Sequence, residues 1–206
     1  MNNEKELLSL YYSNDNFRKV LRQPFIQDSK VCATDGYMMI RIGAALCKGD
    51  YQERPGGLRH PALTIIPVPN TDEPLTYRQL KVALDARPEE RSIRCPDCNG
   101  DGEVTWEYMD KNRERHTLQD TCPVCDGSGF TVTVSKFQYT IHGAALCRHK
   151  VKTLLRTMEF LQADTLRLRH FKLPHSPLLF GVEGEDIEIL SMPKIRDSNM
   201  VEVKII

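Results

Sequence analysis

Val31-Cys-Ala-Thr-Asp-Gly-Tyr-Met-Met-Ile40 reads as two short strands joined by a tight turn. Apolar and β-branched residues flank Asp35-Gly36, and the glycine supplies the positive φ that such a turn requires. This predicts strands over 30–35 and 37–42. The turn signal Gln27-Asp28-Ser29 sets off an earlier strand at about 20–27, and residues 4–12 read as a short amphipathic helix. An aspartate in such a turn bonds its own backbone, so Asp35 is read as structural rather than catalytic.

Residues 43–75 are rich in proline and glycine and show no sustained period, so they read as loop with one strand at Leu63–Val68. Residues 76–87 read as helix, and 131–142 alternate as a strand. Val151, Leu154, Leu155, Met158 and Leu161 recur at helical spacing and predict a helix over 147–162. Strands are expected at 165–172, 177–182 and 186–191; Met192-Pro193 breaks the run, and Val201–Ile206 offers a last strand. The pentapeptide Gly-Ala-Ala-Leu-Cys occurs at 43–47 and 143–147, in different settings, and is read as coincidence. The element order predicts an α+β fold of two βαβββ-type halves. The first half lacks its opening strand, for which Val201–Ile206 is the candidate replacement. Residues 1–92 and 131–206 form one discontinuous domain, and 93–130 are a small inserted module.

Lys+Arg and Asp+Glu both number 28, giving a formal net charge of zero, which argues against indiscriminate attraction to nucleic acid or anionic membrane. No apolar run approaches the roughly 20 residues of a membrane span, and no signal peptide opens the chain, so a cytoplasmic protein is expected.

Four of the seven cysteines form two copies of one pattern: Cys95-Pro-Asp-Cys98-Asn-Gly-Asp-Gly and Cys122-Pro-Val-Cys125-Asp-Gly-Ser-Gly. Two residues between cysteines let both thiolates of a turn reach one ion, and two such knuckles complete a tetrahedral four-cysteine site. The glycines allow positive φ and leave backbone N–H groups free to face the sulfurs. A redox dithiol would sit near a thioredoxin-like βαβ pattern, which is absent. An iron–sulfur cluster also uses four thiolates, but glycine knuckles at this spacing favour zinc. Cys95, Cys98, Cys122 and Cys125 are therefore read as ligands of one structural zinc ion. Cys32, Cys47 and Cys147 are scattered singly and read as small buried hydrophobes.

These knuckles resemble the cysteine-rich repeats of the DnaJ chaperone family. That resemblance is confined to the module and implies zinc. No His-Pro-Asp signature accompanies it, so recruitment of a chaperone partner is not implied. A second resemblance covers about half of the chain. Asn16-Phe-Arg-Lys-Val-Leu-Arg-Gln-Pro-Phe-Ile26 followed by Ala33-Thr-Asp-Gly36 is similar to a segment of the bacterial sliding clamps, the DNA polymerase III beta subunit, with Arg18 at the clamp's usual arginine. Ser176-Pro-Leu-Leu-Phe and Ile189-Leu-Ser-Met-Pro resemble the end of a clamp domain. The resemblance implies a sliding-clamp-like domain, with zinc inserted between its halves. Such clamps carry three domains per chain, so a single domain would have to assemble to encircle DNA, and oligomerisation is a possible consequence.

Arg148, Lys152 and Arg156 recur at spacing four on the predicted helix, with Lys150 beside them. They form a basic stripe roughly 12 Å long, from the 1.5 Å rise per residue. In sliding clamps the corresponding helices face the phosphate backbone, so Arg148, Lys150, Lys152 and Arg156 are candidate nucleic-acid contacts. Trp106 and Tyr108, with Lys111, Arg113 and Arg115, are a weaker candidate, because acids interleave them. No phosphate loop, nucleophile elbow or His-Glu-x-x-His motif is present, and the six histidines are dispersed. The expected function is that of a non-enzymatic, zinc-binding, DNA-associated clamp-like accessory protein. The alternative is a protein- or peptide-interaction module with the zinc knuckles in its contact surface and a protein rather than DNA as partner.

Overall fold

A computed structural model describes residues 3–14, 18–53, 72–86, 90–134, 136–169 and 173–206. The fold is mixed α+β and dominated by sheet. The chain divides into two compact units, residues 1–86 with 137–206, and residues 87–136.

In the first unit, α1 (Glu4–Ser9) precedes β1 (Phe25–Gln27), β2 (Lys30–Thr34) and β3 (Met38–Gly43). β4 (Glu73–Thr76) then leads into α2 (Tyr77–Asp85). The second unit holds β5 (Glu90–Arg94), β6 (Glu103–Met109), β7 (Arg115–Thr121) and β8 (Phe130–Val134). The first unit resumes with β9 (Phe137–Ile141), β10 (Ala144–Leu146), α3 (Arg148–Leu161), β11 (Thr165–Arg169), β12 (Leu178–Gly181), β13 (Ile187–Ser191) and β14 (Val201–Lys204).

Seven strands of the first unit form one sheet in the order β1-β2-β3-β13-β12-β11-β4. Two consecutive antiparallel triplets therefore meet edge to edge where β3 pairs with β13, Ile40 opposite Ile189. β10, β9 and β14 form a separate three-stranded sheet. One face of the large sheet buries Val31, Ile40, Ile42, Leu166, Leu168, Phe180 and Ile189 in a single core. Leu80 and Leu84 of α2, and Val151, Leu154 and Met158 of α3, belong to the same core. Each fully buried large apolar side chain contributes about 1.5–3 kcal/mol, so this unit has ample driving force of its own.

Local chemistry sets the helix ends. Thr76 and Gln79 form a reciprocal capping box at the start of α2. Gln162 takes a left-handed conformation, φ 52°, to stop α3. Tyr11, fully buried, hydrogen-bonds the Thr157 hydroxyl of α3 at 2.7 Å, and Thr157 in turn donates to the Thr153 carbonyl.

Several expectations need correction. Residues 20–27 are not one strand: a 3-10 turn over Lys19–Leu21 precedes the three-residue β1. The alternating run 131–142 is two strands, of which β8 pairs with β5 in the second unit and β9 with β10 and β14 in the first. The stretch read as loop ends in β4, whose Pro74 lies in the outermost strand of the sheet, where a missing N–H is tolerated. The strand expected at Leu63–Val68 lies outside the described residues. β14 does enter a sheet, but parallel to β9 and, among the described residues, not beside the first-half strands. The repeated pentapeptide adopts two conformations, a 3-10 turn at 44–46 and strand β10 at 144–146.

The N-terminal helix is tied down by one buried carboxylate. Glu4 accepts hydrogen bonds from Lys48 N–H and Gly49 N–H, at 2.6 and 3.0 Å, and from the Tyr51 hydroxyl. Burial opposes its charge, but these donors outweigh it and hold its pKa below the ordinary 4.5. A depressed carboxylate contributes stability above its unfolded pKa, and that stability is lost as pH falls through the folded value. Glu4→Gln is therefore expected to cost about 1–2 kcal/mol near neutral pH, and the gap to wild type should close as pH drops below about 4. Urea unfolding across that range measures both.

Candidate functional site

The second unit is organised around its two knuckles. Cys95, Cys98, Cys122 and Cys125 are all buried, and their four sulfurs lie within 4.8 Å of one another. Cys95 Sγ is 3.8 Å from Cys122 Sγ, and Cys98 Sγ is 3.7 Å from Cys125 Sγ. A disulfide would bring sulfurs to about 2.05 Å, whereas a tetrahedron with metal–sulfur bonds near 2.3 Å has edges of about 3.8 Å. The four thiols thus have the spacing of a set that could hold one metal ion.

The knuckles lock each other reciprocally. Cys95 N–H donates to Gly129 O, and Cys122 N–H donates to Gly102 O, both at 2.9 Å. Asp101 N–H bonds Cys98 O, and Ser128 N–H bonds Cys125 O, each at 3.0 Å. Gly102 N–H points at Cys98 Sγ from 3.3 Å. Burial works against the Cys98 thiolate, but the N–H groups of Gly102 and Gly100 and the neighbouring sulfurs outweigh it and lower its pKa. At Cys122 burial prevails and raises it. The glycines are required here by backbone contact: a Cβ on Gly102 would lie 2.4 Å from Gly127 O, and one on Gly129 would lie 2.3 Å from Gly100 O.

Among the described residues, little else packs inside this unit. Its buried cluster is the four cysteines, with half-buried Val104 packed against them. Ile93, Trp106, Tyr108, Leu118, Val124 and Phe130 stay 42–56% exposed. Apparent binding free energies of structural cysteine-rich metal sites, about 10–16 kcal/mol, far exceed what so small an apolar cluster supplies.

Cys32 is buried and its thiol is pushed up to about 11 by desolvation, while Cys47 and Cys147 are half-buried. Asp35 accepts from Tyr37 N–H and Met38 N–H, both at 2.7 Å, so its carboxylate closes its own turn. The Arg18 guanidinium approaches that turn, 3.8 Å from where a Cβ of Gly36 would stand.

The helical stripe is altered by packing. Arg148 is exposed but donates to the Tyr139 hydroxyl and to Leu84 O, both at 2.8 Å. Arg156 is exposed and pairs with Glu159 at 3.0 Å, and Lys152 is exposed. Lys150 is a correction: it is buried, its ammonium donating to Met192 O and lying 5.6 Å from the Tyr37 ring centre. It secures the chain after β13 and does not face solvent. The helix expected over 76–87 is present as α2, but its contribution to the basic face is not evident from sequence. It packs on α3, with Tyr77 donating to Glu159 at 3.0 Å, and it exposes Arg78 and Lys81. The helix pair therefore exposes Arg78, Lys81, Arg148, Lys152 and Arg156 against two exposed acids, Asp85 and Glu159.

No protein-family model and no curated protein matches this chain. Solved structures that it resembles include bacterial sliding clamps. The beta clamp of Helicobacter pylori, bound to a DNA ligase peptide, aligns at 11% identity and TM-score 0.49 over 94% of this chain and 63% of its own. The DNA polymerase III beta subunit of Thermotoga maritima aligns at 9% identity and TM-score 0.48, covering 95% of this chain and 64% of its own. The Bacillus subtilis sliding clamp aligns at 10% identity and TM-score 0.46, with 95% and 63% covered. The chain thus spans less than two thirds of the length of the clamps it matches, and a likeness of this size assigns no function.

Gly102→Ala and Gly129→Ala should each accelerate loss of metal to a colorimetric chelator by at least about tenfold, because added atoms collide with backbone across the knuckles. Gly184→Ala, at φ 77° with nothing within 4 Å of its Cβ, is the control and should leave that rate unchanged.

Proposed function

We propose that this chain is a non-enzymatic, DNA-associated accessory protein built on a sliding-clamp-like domain, with one structural zinc ion stabilising its inserted unit. The observation that carries the DNA part is the packed pair α2 and α3, which exposes five Lys/Arg against two acids. Contacts from such a surface neutralise phosphates without reading bases. The sequence resemblance of Ala33–Gly36, Arg18 and the Met192-Pro193 end to clamp domains supports the same reading.

Zinc is favoured by the donor set. Four buried sulfurs, all within 4.8 Å of one another, would fill a tetrahedral ion's coordination and leave no open position, which suits a structural ion and not a catalytic one. Bound there, zinc supplies crosslinking of the two knuckles and no reaction chemistry. The absence of an enzymatic role is likewise a proposal, supported by Asp35 being engaged with its own turn and by the lack of a recognisable nucleophile–base pairing in the sequence.

Fluorescence anisotropy on a labelled duplex tests the surface. Arg78→Glu/Lys81→Glu/Lys152→Glu avoids Arg148, whose guanidinium ties α3 to Leu84 and Tyr139. Wild type should bind with affinity falling steeply as salt rises, and the triple variant should lose about two to three from the log–log salt slope. Equal binding by both proteins, or none by folded wild type at low salt, contradicts the reading.

A further inference from the structure

The second unit carries a charge pattern opposite to that of the helix pair. Residues 95–110 hold Asp97, Asp101, Glu103, Glu107 and Asp110, and residues 116–135 hold Asp120 and Asp126, with no Lys or Arg in either stretch; Lys111, Arg113 and Arg115 are grouped at the ribbon's far tip, and Arg94 packs on Gly100 of the first knuckle. β6 and β7 form a two-stranded antiparallel ribbon, in which directly opposed residues share a face. The pairs Val104–Asp120, Trp106–Leu118 and Tyr108–His116 put the apolar and aromatic groups on one face. Glu103–Thr121, Thr105–Gln119, Glu107–Thr117 and Met109–Arg115 occupy the other, so Glu103 meets the Trp106 face only where the pocket wraps the ribbon's end. Trp106, Tyr108 and Leu118 are each more than half exposed.

At the knuckle end this face runs into an open pocket of about 450 Å³, lined among others by Asp97, Asp101, Glu103, Val104, Trp106 and Pro123. All three carboxylates are exposed, and none has a hydrogen-bond or ion-pair partner among the described residues. An indole edged by unpaired carboxylates selects for cations, through ion pairing and cation–π attraction together. It repels phosphate, so Trp106 and Tyr108 are poorly placed to stack on nucleic acid.

We infer that this face of the zinc unit docks an extended, basic segment of a partner protein, one that alternates Lys or Arg with apolar residues. The apolar side chains lie on Trp106 and Leu118, and the cations reach Asp97, Asp101 and Glu103. This goes beyond the DNA reading and stands without it.

Trp106 is the only tryptophan in the chain, so its emission reports on this face directly. The full-length, metal-loaded protein is titrated with a Lys-Val alternating peptide, a Glu-Val alternating peptide and oligo-dT. Expected are a saturable change in Trp106 emission with the Lys-Val peptide alone, and binding weakened about tenfold or more in Asp97→Asn/Asp101→Asn/Glu103→Gln. Metal content and free-thiol titration verify that the variant keeps its knuckles. A labelled Lys-Val peptide followed by anisotropy repeats the test on Trp106→Ala, which should also lose binding. The inference is overturned by no response to the Lys-Val peptide, by an equal response to the Glu-Val peptide, or by oligo-dT binding that the neutralised variant strengthens. Protection of Trp106 from acrylamide in the free protein would overturn it too, since the face would then be covered already.

Discussion

The pairing of β3 with β13 is the constraint on which the larger unit depends. It joins residues 38–43 to residues 187–191, so two strand triplets far apart in sequence become one sheet with one buried face. Long-range pairing of this kind is entropically expensive to close, and the core beneath it has to repay that cost. Ile40, Ile42, Ile187 and Ile189 lie at the seam and are at most 3% exposed, so the ladder and the core are strengthened by the same residues. An insertion between the halves is tolerable because its own ends pair, β5 against β8, and so leave and return together.

The inserted unit has a different basis for its stability. Among the described residues it has almost no apolar interior, and the large hydrophobic side chains described are about half exposed. Two knuckles that exchange cysteine N–H and glycine carbonyl bonds bring four sulfurs together, and a metal ion is the natural completion of that arrangement. The overall formal charge of zero conceals a segregation. Bases cluster on α2 and α3 of one unit, while Asp97, Asp101 and Glu103 stand exposed beside the knuckles of the other. Each surface thereby suits a partner of opposite sign, which a uniformly mixed surface would not.

How much of this could be read from sequence follows from how local each determinant is. The cysteine knuckles, the Thr-Asp-Gly turn and the period of α3 are set by residues a few positions apart, and all three are visible in the chain. Val151, Leu154 and Met158 are buried as their spacing requires. What escaped reading depends on partners distant in sequence. Residues 131–142 have continuous β propensity, and only pairing with β5 or with β10 decides where one strand ends and the next begins. Lys150 has the same intrinsic character as Lys152; the Met192 carbonyl, supplied by a later segment, takes it out of solvent. Arg78 and Lys81 join the basic face only because α2 packs on α3 across the insertion. Pro74 argues locally against a strand, and its edge position is a tertiary fact.

In the reading proposed above, four thiolates bind one zinc ion and thereby fold the inserted unit. X-ray absorption at the zinc edge on the purified full-length protein tests it most directly. One zinc per chain is expected, with four sulfur neighbours at about 2.3 Å and no nitrogen or oxygen ligand. Iron in place of zinc, mixed sulfur and nitrogen or oxygen ligation, or a folded second unit free of metal would contradict it.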